Sequence, residues 1–178
     1  MKEKVEFDSK VTEKDLIKFK LYANYTSVGG IFGLIFAVVE LIVCFVSIGR
    51  TEISYTLMLA TFGLLFLLYP PISSILSAKK QIKKIPAFAA AIHYTFDADG
   101  IRLIQGEIDE KLEWQNVYKI KIANDSLLIY LTTINANIIP IRDCRDSLTD
   151  IVSIAKTNLK PFQVKISEKK VSKLSEKK

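Results

Sequence analysis

Apolar and polar positions fall into three regimes along this chain. Val28 to Gly49 contains one charge, Glu40, and Ile53 to Ala78 contains none. At about 1.5 Å per residue, each stretch makes a helix of roughly 30 Å or more, enough to cross the hydrocarbon core of a bilayer. Only Arg50-Thr51-Glu52 separates them, after the helix-stopping Gly49. So short a link predicts an antiparallel two-helix hairpin with both chain ends on one side. The predicted spans are 28–49 and 53–72, with Pro70-Pro71 kinking or interrupting the second near its end.

Ahead of the first span, Val5 and Phe7 alternate with charged residues, the pattern of a half-exposed strand. Thr12 is placed to cap a short helix carrying Leu16, Ile17, Phe19 and Leu21, with Asp15 at its third position. That helix is expected to lie along the membrane interface.

From Ile92 the period becomes two. Strands are predicted over 92–96, 101–105, 108–114 (Ile108, Leu112 and Trp114 inward), 117–123 (Tyr118, Ile120 and Ile122 inward), 127–132 and 137–141. They are punctuated by turns at Asp97-Ala-Asp-Gly100, Gly106, Asn124-Asp125 and Asn135. Pro140 predicts an edge position for the last strand. Asp143 then caps an amphipathic helix with Leu148, Ile151, Val152, Ala155 and Leu159 on one face, ended by Lys160-Pro161. The fold class expected is a membrane α-helical hairpin plus an α+β domain: a pleckstrin-homology-like small antiparallel barrel of about six strands with a C-terminal helix. The N-terminal strand is placed to join an edge of its sheet. The organisation is thus 1–27 strand and interfacial helix, 28–78 hairpin, 79–91 basic juxtamembrane segment, 92–160 barrel domain, and 161–178 a Lys-rich tail expected to be disordered.

The residues Phe96-x-x-x-Gly100-Ile101, Leu112-x-Trp114, Leu128-x-Tyr130 and Ile138-Ile-Pro-Ile-Arg142, following two adjacent apolar segments, resemble the YcxB-like family of bacterial membrane proteins. The resemblance covers roughly residues 5 to 158. It implies a membrane location and a cytoplasmic domain, and supplies no reaction and no catalytic residues.

Charge sharpens the topology. Lys10, Lys14, Lys18 and Lys20 precede the first span, Lys79, Lys80, Lys83 and Lys84 follow the second, and the loop offers Arg50 alone. The positive-inside rule therefore places both termini in the cytoplasm and the loop outside the plasma membrane. Segment 92–159 holds seven bases against ten acids, so the folded module is acidic and a nucleic-acid partner is disfavoured. The two cysteines, Cys44 and Cys144, lie far apart and read as free thiols.

Little in the chain points to chemistry. His93 is the only histidine and has no ligand cluster around it; Cys144 has no histidine nearby; Glu107, Asp109, Glu110 and Glu113 read as a solvated face. No catalytic residue, cofactor or metal site is predicted, and the chain is not expected to be an enzyme. Four features remain. Glu40 is a carboxylate at membrane depth, either a functional site or a protonated group hydrogen-bonded to the neighbouring helix. Gly29, Gly33 and Ala37, with Thr56, Ala60 and Gly63, form small-residue stripes suited to helix packing or homo-oligomers. Lys79, Lys80, Lys83 and Lys84 are candidate contacts for anionic lipid headgroups, and the tail lysines Lys165, Lys169, Lys170, Lys173, Lys177 and Lys178 extend that possibility. Trp114 and Arg142 are candidate partner contacts. The expected function is a membrane-anchored binding or scaffold module. The alternatives are a subunit of an oligomeric transporter or channel that uses Glu40, or an immunity or stress accessory protein.

Overall fold

A computed structural model describes residues 3–85, 88 and 90–175. Part of the 79–91 segment and the tail residues Lys177 and Lys178 lie outside these. The elements run β1 (Val5–Ser9), α1 (Glu13–Thr26), α2 (Val28–Ser47), α3 (Ile53–Lys84), β2 (Ile92–Phe96), β3 (Gly100–Gln105), β4 (Ile108–Glu113), β5 (Lys119–Ala123), β6 (Ser126–Tyr130), β7 (Ala136–Pro140), α4 (Ile141–Cys144), α5 (Leu148–Asn158), β8 (Val164–Lys165) and α6 (Glu168–Ser175). Two compact units result. A helical unit comprises Ile17–Lys80, and a sheet unit comprises Met1–Leu16 with Gln81–Lys178.

In the helical unit, α2 and α3 are long and apolar enough to cross a membrane, with mean hydropathies of 2.5 and 1.8 over their most apolar windows. Only 6% and 11% of those windows is buried, so neither is a core helix of this chain. Ser27 caps α2, its Oγ accepting the Gly30 amide at 3.0 Å. Gly49, at φ +71°, turns the chain, and the Ser47 carbonyl accepts both Arg50 N (3.0 Å) and Thr51 N (3.2 Å). The expected interruption at Pro70-Pro71 does not occur, and α3 stays helical to Lys84. Proline's fixed φ is itself helical, so what the pair removes is two backbone donors.

The packing of α2 on α3 is narrower than the small-residue stripes imply. Ala37 is fully buried. A methyl group placed on Gly63 would stand 2.8 Å from Leu41 Cδ2 and 3.5 Å from the Ala37 carbonyl. Phe36 meets Phe66 edge-on, centroids 5.1 Å apart, and Cys44 Sγ reaches the Thr56 carbonyl at 3.5 Å. Gly29 and Gly33 face open space and take no part in the contact.

The sheet unit departs from a single closed barrel. Sheet A has the order β1-β2-β3-β4, all antiparallel; sheet B has the order β7-β6-β5-β8, antiparallel except for the parallel β5–β8 pair. Closure fails after β4, where the chain enters a 3₁₀ turn at Trp114–Asn116. Trp114 thereby leaves the strand for the core, and β4 remains an exposed edge bearing Asp109, Glu110, Lys111 and Glu113. Such charges are what keeps an open edge from pairing with another chain. Ile108, expected inward, is exposed on that edge, and Tyr118, also expected inward, is exposed just ahead of β5.

The sheets share one core. Val5, Tyr94, Phe96 and Ile101 of sheet A join Ile120, Ile122, Leu127, Ile129 and Ile139 of sheet B, with Leu148, Ile151, Val152 and Ala155 of α5. Turn chemistry sets the registers. Asp97 Oδ1 accepts the amides of Asp99 (2.9 Å) and Gly100 (3.0 Å), and Asn124 and Asp125 take φ of +47° and +61°, the signature of a type I′ hairpin. The expected edge strands hold: β1 pairs with β2 from Val5↔Phe96 to Ser9↔Ile92, and β7, with Pro140, lies at the edge of sheet B.

Two further expectations need correction. Asp143 does not cap the last long helix, because its carboxylate is occupied by Ser9 Oγ (2.9 Å) and Lys10 N (3.1 Å), and α5 starts only at Leu148. The tail is not disordered over 164–175: Val164 and Lys165 pair with Ile120 and Lys121, while α6 buries Val171 in the shared core. A composition rich in lysine hid this, since Ile166, Val171 and Leu174 supply just enough apolar surface on one side.

Candidate functional site

Among the described residues, no group of three or more His, Cys, Asp or Glu side chains is placed to hold a metal ion. The candidate residues occupy four separate places.

Glu40 lies on the face of α2 that meets α3, bracketed by Ala37 against Gly63 and by Cys44 against the Thr56 carbonyl. Its Oε2 is shielded from solvent and has no hydrogen-bond partner. A shielded, unsatisfied carboxyl oxygen carries a desolvation penalty that nothing in this contact offsets. The hydrogen bond to a neighbouring helix, one reading of this residue, is therefore not made through Oε2.

The basic strip continues α3. Lys79, Lys80, Lys83 and Lys84 are all exposed, and four-residue spacing on one continuous helix stacks Lys79 over Lys83 and Lys80 over Lys84. Positive charge here also complements the helix C-terminal dipole.

Arg142 follows β7 and turns to the N-terminal segment of the same unit. Its Nη1 donates to Asp15 Oδ1 (2.9 Å), while its Nη2 donates to Asp15 Oδ2 (2.8 Å) and to the Lys10 carbonyl (3.0 Å). Asp15 also accepts Thr12 N (2.8 Å) and Thr12 Oγ1 (2.6 Å), closing the capping motif expected at the start of α1. Burial alone would raise the Asp15 pKa, but the Arg142 and Thr12 hydrogen bonds overturn that and hold it below the usual carboxylate value. Arg142 is thus a structural clamp. Trp114 is not a surface contact either: it is buried against Phe96, and its Nε1 donates to the Asp97 carbonyl at 2.9 Å.

The remaining reactive side chains are equally committed. Cys144 is buried, and burial, with the neighbouring Asp143 charge, pushes its thiol up to about 12, which leaves it un-ionised and a poor nucleophile. His93 Nδ1 meets Asp8 Oδ1 at 2.7 Å across the β1–β2 pair. Arg102 grips Asp109 with Nε at 2.7 Å from Oδ1, so one of the exposed acids is neutralised in place.

An open cleft of about 470 Å³ in the helical unit, not expected from the sequence, is lined by Phe19, Lys20, Ala23, Asn24 and Ser27 with Ser73, Ser74 and Ser77. Asn24 Nδ2 lies 3.4 Å from the buried Ser74 Oγ. The serine spacing on α3 was its signal, obscured by the adjoining proline pair.

Residues 96–152 match the family described as YcxB-like protein. The match runs from the last residue of β2 into α5 and contains Phe96, Gly100, Trp114, Tyr130 and Arg142. It leaves α2, α3 and β1 outside. Comparison with curated proteins gives no match.

Proposed function

We propose that this chain is a membrane-anchored binding module, in which α2 and α3 insert as a hairpin and the two-sheet unit is presented on one face of the bilayer. The observation that carries the reading is the β1–β2 pair. These strands lie on either side of the two apolar helices in the chain and are hydrogen-bonded from Val5 to Ser9 and Ile92 to Phe96. Two paired strands share one compartment, so the chain between them crosses the membrane an even number of times. Two helices of sufficient length, nearly bare of protein cover, fit that count. The lysines flanking the hairpin support a cytoplasmic location for the sheet unit.

The test is sided labelling in a Cys44→Ser background. A cysteine at Thr51 is expected to react with an impermeant maleimide in intact cells, and a cysteine at Lys165 only after permeabilisation. The reverse pattern inverts the orientation, and release of the chain by alkaline carbonate removes insertion altogether.

A second reading is favoured by Glu40, whose unpartnered oxygen suits an oligomeric transporter or channel subunit better than a passive anchor. Two helices cannot enclose a pore alone, so this reading needs several copies. Glu40→Gln separates the two: loss of ion or solute flux with insertion and oligomeric state intact establishes transport, and unchanged behaviour assigns Glu40 to packing.

A further inference from the structure

One end of sheet B differs in character from the rest of the sheet unit. Tyr118, Leu131, Ile134 and Phe162 are all exposed there, Ile134 at 77% and Phe162 at 70%. Backbone hydrogen bonds bring their segments together: Tyr118 N to Tyr130 O (2.8 Å), Leu131 N to Asn135 O (3.0 Å) and Ile120 N to Gln163 O (2.8 Å). Gln163 Nε2 adds a bond to the Val117 carbonyl at 2.7 Å. The β6–β7 loop is held in shape as well, because Thr132 Oγ1 accepts the amides of Ile134 (3.3 Å) and Asn135 (3.0 Å). Ile134 is therefore presented on a fixed turn.

Charge at this end has one sign. The segments 114–121, 126–140 and 157–167 that build sheet B and its approaches contain no acid, and they carry Lys119, Lys121, Lys160 and Lys165. Lys119 Nζ is positioned by the rings of Tyr130 (4.5 Å to the centroid) and Tyr118 (5.2 Å). Six acids of the unit, Asp97, Asp99, Glu107, Asp109, Glu110 and Glu113, lie on the sheet A hairpins, and Asp125 lies in the β5–β6 turn at the opposite end of sheet B.

Within the sheet unit, both routes to the hairpin depart from the other end of sheet B. The Ile141 amide donates to the Asp125 carbonyl there, Arg142 holds Asp15, and Asp143 holds Ser9, the residue opposite Ile92. Five-residue strands at about 3.3 Å per residue put some 17 Å between the two ends.

We infer that the end of sheet B bearing Tyr118, Leu131, Ile134 and Phe162 is a docking surface for a protein segment that is apolar on one side and acidic around it. The apolar side chains supply contact area on rigid turns, and the lysines select carboxylates around the rim and repel basic surfaces. This rests on the membrane-anchored reading only for the choice of protein over lipid, because the patch lies opposite the exits toward the anchor.

The full chain in phosphatidylcholine nanodiscs, titrated with a fluorescein-labelled amphipathic helical peptide of leucine and glutamate, tests the inference. Saturable binding is expected. It should weaken by about tenfold or more in Ile134→Ser/Phe162→Ser and in Lys119→Glu/Lys160→Glu, a tenfold loss being about 1.4 kcal/mol. A matched leucine–lysine peptide should not bind. Ile134, Phe162 and Lys160 are exposed and Lys119 is half-buried against the Tyr130 ring, so each variant is scored only with unaltered Trp114 fluorescence and thermal midpoint. Equal binding of the lysine peptide, or unchanged affinity in either double variant, overturns the proposal. Quenching of an Ile134→Trp reporter by brominated lipid overturns it in favour of a membrane contact. A dimer dispersed by Phe162→Ser without peptide overturns it in favour of a second copy. Carbonate resistance is scored separately. Peptide binding by a chain that carbonate strips from membranes sinks the anchor and keeps the docking surface, and the converse result keeps only the anchor.

Discussion

Arg142 grips Asp15 through two parallel hydrogen bonds, 2.9 and 2.8 Å, across 127 residues of chain. The carboxylate is nearly enclosed while the guanidinium stays about half exposed. Removing one partner therefore costs less than breaking a fully buried pair, and Arg142→Ala should lower the stability of the sheet unit by about 1–2 kcal/mol. Chemical denaturation followed by Trp114 fluorescence measures it.

The same pair predicts an acid transition. Burial opposes ionisation of Asp15, but Arg142 and Thr12 outweigh it, so its folded pKa lies below the unfolded value of 3.8. The unfolded state then binds more protons as acidity rises. The stabilisation is present above about pH 4 and is lost as pH falls through the lower folded value. Asp15→Asn should flatten this part of the stability–pH profile, and an unchanged slope would assign the acid sensitivity to other carboxylates.

Gly100 sits at φ +155°, and a methyl group there would stand 2.5 Å from the Leu112 carbonyl of the adjacent strand. Gly100→Ala is expected to destabilise the sheet unit by about 1–3 kcal/mol, through strain in the β2–β3 turn. Gly106 also has positive φ but meets nothing within 4 Å. Its alanine variant should be milder, and the difference between the two thermal midpoints is the measurement.

Much of this architecture is legible from short-range pattern, and what is not has a common cause. Periodicity and turn residues locate the long helices, the strand run, the Asp97–Gly100 and Asn124-Asp125 turns and the edge role of Pro140. Long-range competition decides the rest. Trp114 reads as a strand residue until the shared core claims it. Asp143 reads as a helix cap until Ser9 and Lys10 take its oxygens, and Arg142 reads as a surface contact until it meets Asp15. In the candidate site, Glu40 and the lysine strip stand out from charge alone, whereas the cleft depends on which helices lie side by side and the cationic apolar end of sheet B on which strands do.

Truncation after Lys160 removes β8 and α6, and with them the burial of Ile166 and Val171. At about 1.5 kcal/mol or more per buried side chain, the loss should reach about 3 kcal/mol. A thermal midpoint identical to that of the full chain would show that the tail packs too weakly to matter.

Alanine at Lys79, Lys80, Lys83 and Lys84 should reduce preference for phosphatidylglycerol over phosphatidylcholine, at about 1 kcal/mol per lysine near an anionic surface. Native mass spectrometry of retained lipids reports it. The preference of the unaltered chain should fade with salt, and that dependence should vanish in the variant.

The β1–β2 pair also sets an order of events during synthesis. Ser9 finds its partner Ile92 only after both apolar helices have been made. At about 5–20 residues per second, β1 waits for roughly 4–17 s of translation before its ladder can form. A sheet A formed without β1 has an open edge at β2 and a core lacking Val5 and Phe7. Completion of the sheet thus requires that β1 and β2 end in one compartment. If α2 and α3 insert as proposed, a chain threaded only once leaves β1 and β2 on opposite sides of the bilayer and the sheet unit open to proteolysis, whereas an inverted hairpin keeps the two strands together.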